Sequence, residues 1–128
     1  MANELILIVE DNEKNLKLVR DLLQFKGYQT LEAARALAGI ALAEQHQPAL
    51  ILMDIQLPDV DGVSALGQLR ANPATAHIPV AAVTAFAMRS DRERLLAAGF
   101  DGYLEKPIDI RAFPDQVRQL CAQGRVVR

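Results

Sequence analysis

The chain has 128 residues, 51% of them hydrophobic, and a formal net charge of −2. That is one domain with ample material for a core, which excludes a disordered chain, and the missing basic surplus argues against a general nucleic-acid binder. Cys121 is the single cysteine, Met1-Ala2-Asn3-Glu4 lacks the basic and apolar regions of a signal peptide, and no apolar run approaches a membrane span, so a cytoplasmic protein without membrane contact is expected.

Leu5-Ile6-Leu7-Ile8-Val9 is a short apolar run, of the kind produced by burial on both faces of a parallel strand, and it leads into Glu10 and Asp11. The next segment is helical: Leu16, Val19, Leu22 and Leu23 line one face, and Gly27 offers a C-terminal cap. Leu18 and Phe25, seven residues apart and beside Leu22, are read either as scattered exposed apolar side chains or as a docking patch for a partner's helical bundle next to the Asp54 end. Tyr28-Gln29-Thr30-Leu31 alternates as an edge strand does, and Ala33 to Gln47 is an alanine-rich helix with Pro48 beyond its end.

Leu50-Ile51-Leu52-Met53 is the second apolar run and ends in Asp54; Gly62 to Ala71 forms a helix stopped by Asn72-Pro73. Val80-Ala81-Ala82-Val83 is the third run and ends in Thr84, and Ser90 and Glu93 have capping-box spacing for a short helix that Gly99 ends. Gly102-Tyr103-Leu104-Glu105 is a second edge strand, followed by Lys106-Pro107. In the last helix Phe113, Val117, Leu120 and Cys121 form a core stripe. Pro114 lacks an N–H and is tolerated only in a first turn, so it predicts a delayed or 3₁₀-like start.

Five strands alternating with five helices imply an α/β domain whose parallel sheet is covered on both faces. Functional groups in such sheets gather at the carboxyl ends of the strands. That rule selects Glu10, Asp11, Asp54, Thr84 and Lys106. Carboxylates ~4 Å apart at an effective dielectric of about 20 repel by roughly 4 kcal/mol per pair. A hard dication such as Mg²⁺ removes that cost and favours few carboxylates, several waters and phosphate oxygens. A carboxylate can also be a nucleophile that forms an acyl phosphate, with Mg²⁺ and a lysine stabilising the transferring charge. Taken singly, Asp54 reads as a turn or cap residue, Glu10-Asp11 as a solvated helix start, Thr84 as strand filler, Lys106 as a surface lysine and Tyr103 as packing. The joint placement of Glu10, Asp11, Asp54, Thr84 and Lys106 at strand ends reverses their readings, while Tyr103, inside an edge strand, keeps the packing reading at this point. His46 and His77 match no ligand spacing, and Cys121, Met53 and Met88 read as packing residues.

Val9-Glu10-Asp11-Asn12, Met53-Asp54-Ile55-Gln56-Leu57-Pro58, Val83-Thr84-Ala85 and Lys106-Pro107 together resemble a response-regulator receiver domain, over about Glu4 to Cys121. The stretches from Ile51 to Pro58 and from His77 to Met88 are most similar to single-domain regulators of the DivK type, which points to cell-cycle signalling. The resemblance implies a sheet of strand order 2-1-3-4-5 with five helices, the flavodoxin- and CheY-like arrangement. It implies that Asp54 is the phosphoacceptor, that Asp11 and Asp54 ligate Mg²⁺, that Glu10 helps hold it through water, and that Gln56 offers its backbone carbonyl. Lys106 would pair with Asp54 and then with the phosphoryl group; Thr84 and Tyr103 would be the switch pair; Lys106-Pro107 would be a cis peptide.

It further implies a single receiver domain over residues 1–128, with a core of 4–121, a short tail of 122–128 and no output domain. The expected protein is a monomer or weak dimer that catalyses only its own phosphorylation and dephosphorylation. Its donor would be a histidine kinase or a phosphotransfer protein. Its output would be a shift of the surface formed by the fourth helix, fifth strand and fifth helix, regulating partners such as histidine kinases. The alternative is a relay intermediate that passes the phosphoryl group to a histidine phosphotransfer protein. An aspartyl phosphohydrolase shares the chemistry, but the length leaves no cap domain; a flavin binder is opposed by the acidic Glu10-Asp11-Asn12-Glu13, where a flavin phosphate would want Gly, Ser or Thr donors. Gln56 and Phe86 flank the site and are expected to tune water access.

Overall fold

The computed structural model describes residues 3–85 and 88–125. Its strands are β1 (Leu5–Val9), β2 (Gln29–Ala33), β3 (Leu50–Asp54), β4 (Val80–Thr84) and β5 (Gly102–Glu105). The helices are α1 (Glu13–Phe25), α2 (Ala36–His46), α3 (Gly62–Ala71), α4 (Arg89–Ala98) and α5 (Phe113–Gln123). All strand pairs are parallel and the sheet order is β2-β1-β3-β4-β5. The apolar runs are the three central strands, and β3 and β4 are buried along their whole length. The weaker strands, β2 and β5, are the edges.

Alternation along the strands divides the core in two. Leu7, Val9, Ile51, Met53, Val80 and Ala82 face a layer made by Ala36 and Ala43 of α2, Ala65, Leu66 and Leu69 of α3, and Leu95 of α4. Ile6, Ile8, Leu50, Leu52, Ala81, Val83 and Leu104 face Val19 and Leu23 of α1 and Phe113, Val117 and Leu120 of α5. Cys121 packs half-buried against this second cluster, and burial raises its thiol to about 11. His46 and His77 are exposed.

Some local expectations fail. The second helix begins at Ala36 rather than Ala33, because Ala33 is the last residue of β2, buried opposite Val9. The capping box at Ser90 and Glu93 does not form: α4 starts at Arg89, Ser90 is already inside it, and the Glu93 carboxylate accepts from Arg89 at 3.0 Å. The start of α5 is α-type rather than 3₁₀. Phe113 N–H reaches the Asp109 carbonyl four residues back at 2.9 Å, and Pro114 falls in the first turn, where its missing N–H costs nothing. The start is delayed only in the sense that a turn over residues 110–112 precedes it.

The C-terminal segment is tied down as far as Arg125. Asp101, its side chain fully buried, accepts from Arg70 at 2.7 Å, Arg125 at 3.1 Å and the Val80 N–H at 2.8 Å. This network ties together the amino-terminal ends of β4 and β5. Among the described residues no helix is long and apolar enough to cross a membrane.

Candidate functional site

The carboxyl end of the sheet is polar. Glu10 follows β1, Asp54 ends β3, Thr84 ends β4 and Lys106 follows β5. Glu10, Asp54 and Thr84 are buried, at 4%, 5% and 2% exposure, whereas Asp11 stands at the mouth, exposed. Ligand oxygens of Glu10, Asp11 and Asp54 all lie within 4.8 Å of one another. Lys106 Nζ reaches in from the far side, 3.0 Å from Glu10 Oε1 and 3.1 Å from Asp54 Oδ2. The other Asp54 oxygen accepts from the Gln56 N–H at 3.0 Å, and Glu10 Oε2 accepts from the Asn12 N–H at 3.2 Å.

One lysine cannot neutralise three carboxylates, and the charge balance registers in the protonation of the cluster. Burial, and then contact with the Asp54 carboxylate, push Glu10 up to about 7, despite the opposing effects of Lys106 and the Asn12 N–H. Burial by itself would lower Lys106, but its hydrogen bonds to Glu10 and Asp54 outweigh this and raise it. A pocket that would otherwise take up a proton to relieve crowded negative charge is chemically suited to a hard dication, and the all-oxygen donor set matches Mg²⁺.

The surrounding loops are held closely. The Gly62 N–H donates to the Ile55 carbonyl at 2.8 Å, and Asp61 caps α3 through the Ser64 N–H at 2.9 Å. A Cβ on Gly62 would lie 2.8 Å from Ile55 Cα and 3.0 Å from the Asp54 carbonyl oxygen, so only glycine lets α3 approach the end of β3 this closely. The carbonyl of Thr84 accepts from the Lys106 N–H at 2.8 Å, which joins the ends of β4 and β5. Lys106-Pro107 is a cis peptide, as anticipated.

Thr84 and Tyr103 share the α4 side of the sheet: Tyr103 sits opposite Ala82, two residues before Thr84. Tyr103 is half-buried; its hydroxyl accepts from Arg92 Nη1 of α4 at 2.8 Å, and the guanidinium lies 5.5 Å from its ring centre. Phe86 lies outside the described residues.

Of the apolar side chains singled out on α1, Phe25 is not next to the Asp54 end, whereas Leu18 is about 8 Å from the helix start at about 1.5 Å per residue. The helix leaves the Asp54 end at Glu13 and runs away from it, so Phe25, its last residue, lies about 18 Å down the axis at about 1.5 Å per residue. Phe25 is 85% exposed, Leu18 is half-buried, and Leu22 packs against the α1–α5 core. Sequence reading also missed Asp59. From the loop between β3 and α3 it accepts from the N–H groups of Ala36 and Leu37, at 2.9 and 3.0 Å. These bonds, chiefly the one from Leu37, hold its carboxyl below the usual range. No local pattern marks a cap supplied from so far along the chain; Asp61, with Ser64 three residues on, did carry the signature of an N-cap.

The profile of the response regulator receiver domain matches residues 6–118. The polar-differentiation response regulator DivK of Brucella anthropi is 46% identical over 113 residues, 88% of this chain and 92% of that protein. The receiver domain of a sensor histidine kinase from Pseudomonas aeruginosa, solved with a magnesium ion coordinated in its active site cleft, is 34% identical and superimposes with a TM-score of 0.85, over 94% of this chain and 99% of that one. The chemotaxis response regulator CheY4 of Vibrio cholerae, at 21% identity and a TM-score of 0.87 over 93% of this chain and 99% of that one, shares the fold.

Proposed function

The chain belongs to the response regulator receiver domain family, and from that premise we propose that Asp54 accepts a phosphoryl group and that the domain signals through the resulting change at its surface. The observation that carries this is the setting of Asp54: a buried carboxylate with Lys106 Nζ at 3.1 Å on one oxygen and the Gln56 N–H at 3.0 Å on the other, beside Glu10 and Asp11. An Asp54 oxygen attacks the phosphorus of the donor. A P–O bond forms to give an acyl phosphate, the donor's P–N bond breaks, and its imidazole leaves with the electron pair and takes up a proton.

Asp11 and Asp54 would hold Mg²⁺ directly, with Glu10 through water and Gln56 through its carbonyl. When bound, the cation supplies positive charge that neutralises the carboxylates and the phosphoryl oxygens. Lys106, already at hydrogen-bond distance from Asp54, follows the charge onto the phosphoryl group. Thr84 donates its hydroxyl to a phosphoryl oxygen, and Tyr103, on the same side of the sheet, turns inward behind it. The surface that changes is that of α4, β5 and α5. Receiver domains work with histidine kinases or phosphotransfer proteins in two-component systems, and such a protein is the proposed donor; the only chemistry assigned to this chain is its own phosphorylation and dephosphorylation.

The test is incubation with Mg²⁺ and a small acyl phosphate, followed by intact-mass measurement. One added phosphoryl group is expected, absent in Asp54→Asn; addition that persists in Asp54→Asn overturns the reading. The apolar side chains Leu18, Leu22 and Phe25 of α1 are proposed as a contact for a partner's helical bundle, extending from near the reacting end to the far end of the helix. Leu18→Asp and Phe25→Asp are each expected to weaken partner binding while leaving small-molecule phosphorylation intact. Unchanged partner affinity in the folded variants would leave these residues as ordinary surface.

A further inference from the structure

The first turn of every helix leaves N–H groups that need an acceptor. Helix α2 does not supply one: Arg35, at its N-cap, makes no capping bond with its side chain. Both oxygens of Asp59 do so instead, on Ala36 and Leu37, across sequence separations of 23 and 22 residues. Asp59 is the fifth of the seven residues in the loop from Ile55 to Asp61, which leaves Asp54 and carries Gln56. The ends of that loop are fixed by the Gln56 N–H on Asp54, by the Gly62 N–H on Ile55 and by the Asp61 cap on α3. Between them, Pro58 restricts the backbone next to Asp59.

We propose that Asp59 is a positioning residue for the metal site: by capping α2 it fixes the loop that presents the Gln56 carbonyl, and so couples the first turn of α2 to cation binding. This rests on the receiver reading above. The coupling runs both ways, as any linkage between two sites must. Cation binding tightens the loop and protects the α2 cap, and breaking the cap weakens the cation.

The test uses Mg²⁺ alone, titrated calorimetrically into the unphosphorylated protein, with amide hydrogen exchange read at Ala36 and Leu37. Asp59→Ala is expected to weaken Mg²⁺ binding by about tenfold, the range seen when the support of a metal ligand is removed. Asp59→Asn, which keeps one acceptor oxygen, should fall between it and the wild type. Ala41→Gly, at an exposed position of α2, loosens the helix without touching the cap and should leave affinity unchanged. In the wild type, Mg²⁺ should slow exchange at Ala36 and Leu37; in Asp59→Ala it should not. A folded Asp59→Ala protein with wild-type affinity, or an equal loss in Ala41→Gly, overturns the proposal while leaving the receiver reading in place. A wild-type protein that binds no Mg²⁺ removes both.

Discussion

Glu10 governs how the site responds to pH. Its folded-state pKa of about 7 lies above the ordinary 4.5, so the metal-free folded protein holds this proton more tightly than the unfolded chain does. The stabilisation that follows is complete below about pH 4.5 and is lost as pH rises toward 7. A cation competes for the same charge. Mg²⁺ affinity is therefore expected to rise by up to about tenfold per pH unit below 7 and to level off above it, with a proton released on binding. Calorimetry in buffers of different ionisation enthalpy measures that proton. Glu10→Gln should flatten the profile, and a profile still steep in Glu10→Gln would assign the proton elsewhere.

At the scale of elements, close approach at the helix ends sets the precision of the site. The two glycines of interest differ in what stands opposite. At Gly62 the obstacles are backbone atoms of β3, at 2.8 and 3.0 Å; at Gly102 the obstacle is the tip of Leu120, at 2.5 Å, which can swing away. Gly62→Ala is expected to cost about 1–3 kcal/mol, as other overpacking changes do, and to slow phosphorylation. Gly102→Ala should cost less and leave the reaction rate alone. Denaturant midpoints and single-turnover rates on both variants separate the two effects. Sequence reading succeeded and failed for physical reasons at this same scale. Glu10, Asp54, Thr84 and Lys106 were legible because each ends a recognisable strand. Ala33 was misread because its helix preference is overridden by its pairing with Val9 at the end of β2. Glu93 was misread because its carboxylate pairs with Arg89. Asp59 and Asp101 left no local mark, since their partners lie more than 20 residues away.

Over the whole molecule, the sheet has a polar, reactive carboxyl end and, at the amino ends of β4 and β5, a sealed one. The seal is Asp101 with Arg70, Arg125 and the Val80 N–H. Asp101→Ala leaves Arg70, only 17% exposed, without its carboxylate, and is expected to destabilise the protein by about 3 kcal/mol. Mg²⁺ affinity of the folded protein should not change, because the network lies at the opposite end of the strands; a loss of affinity at full folding would show that the two ends communicate. The division between the faces of the sheet has a different consequence. Glu10, Asp54 and Lys106 continue the alternation of Ile8, Leu52 and Leu104 on the α1–α5 side, while Thr84 and Tyr103 lie on the α4 side. The reacting carboxylates and Lys106 thus belong to one wall of this small domain, and the hydroxyls of Thr84 and Tyr103 to the other, so news of an event at Asp54 has to cross the sheet to reach α4.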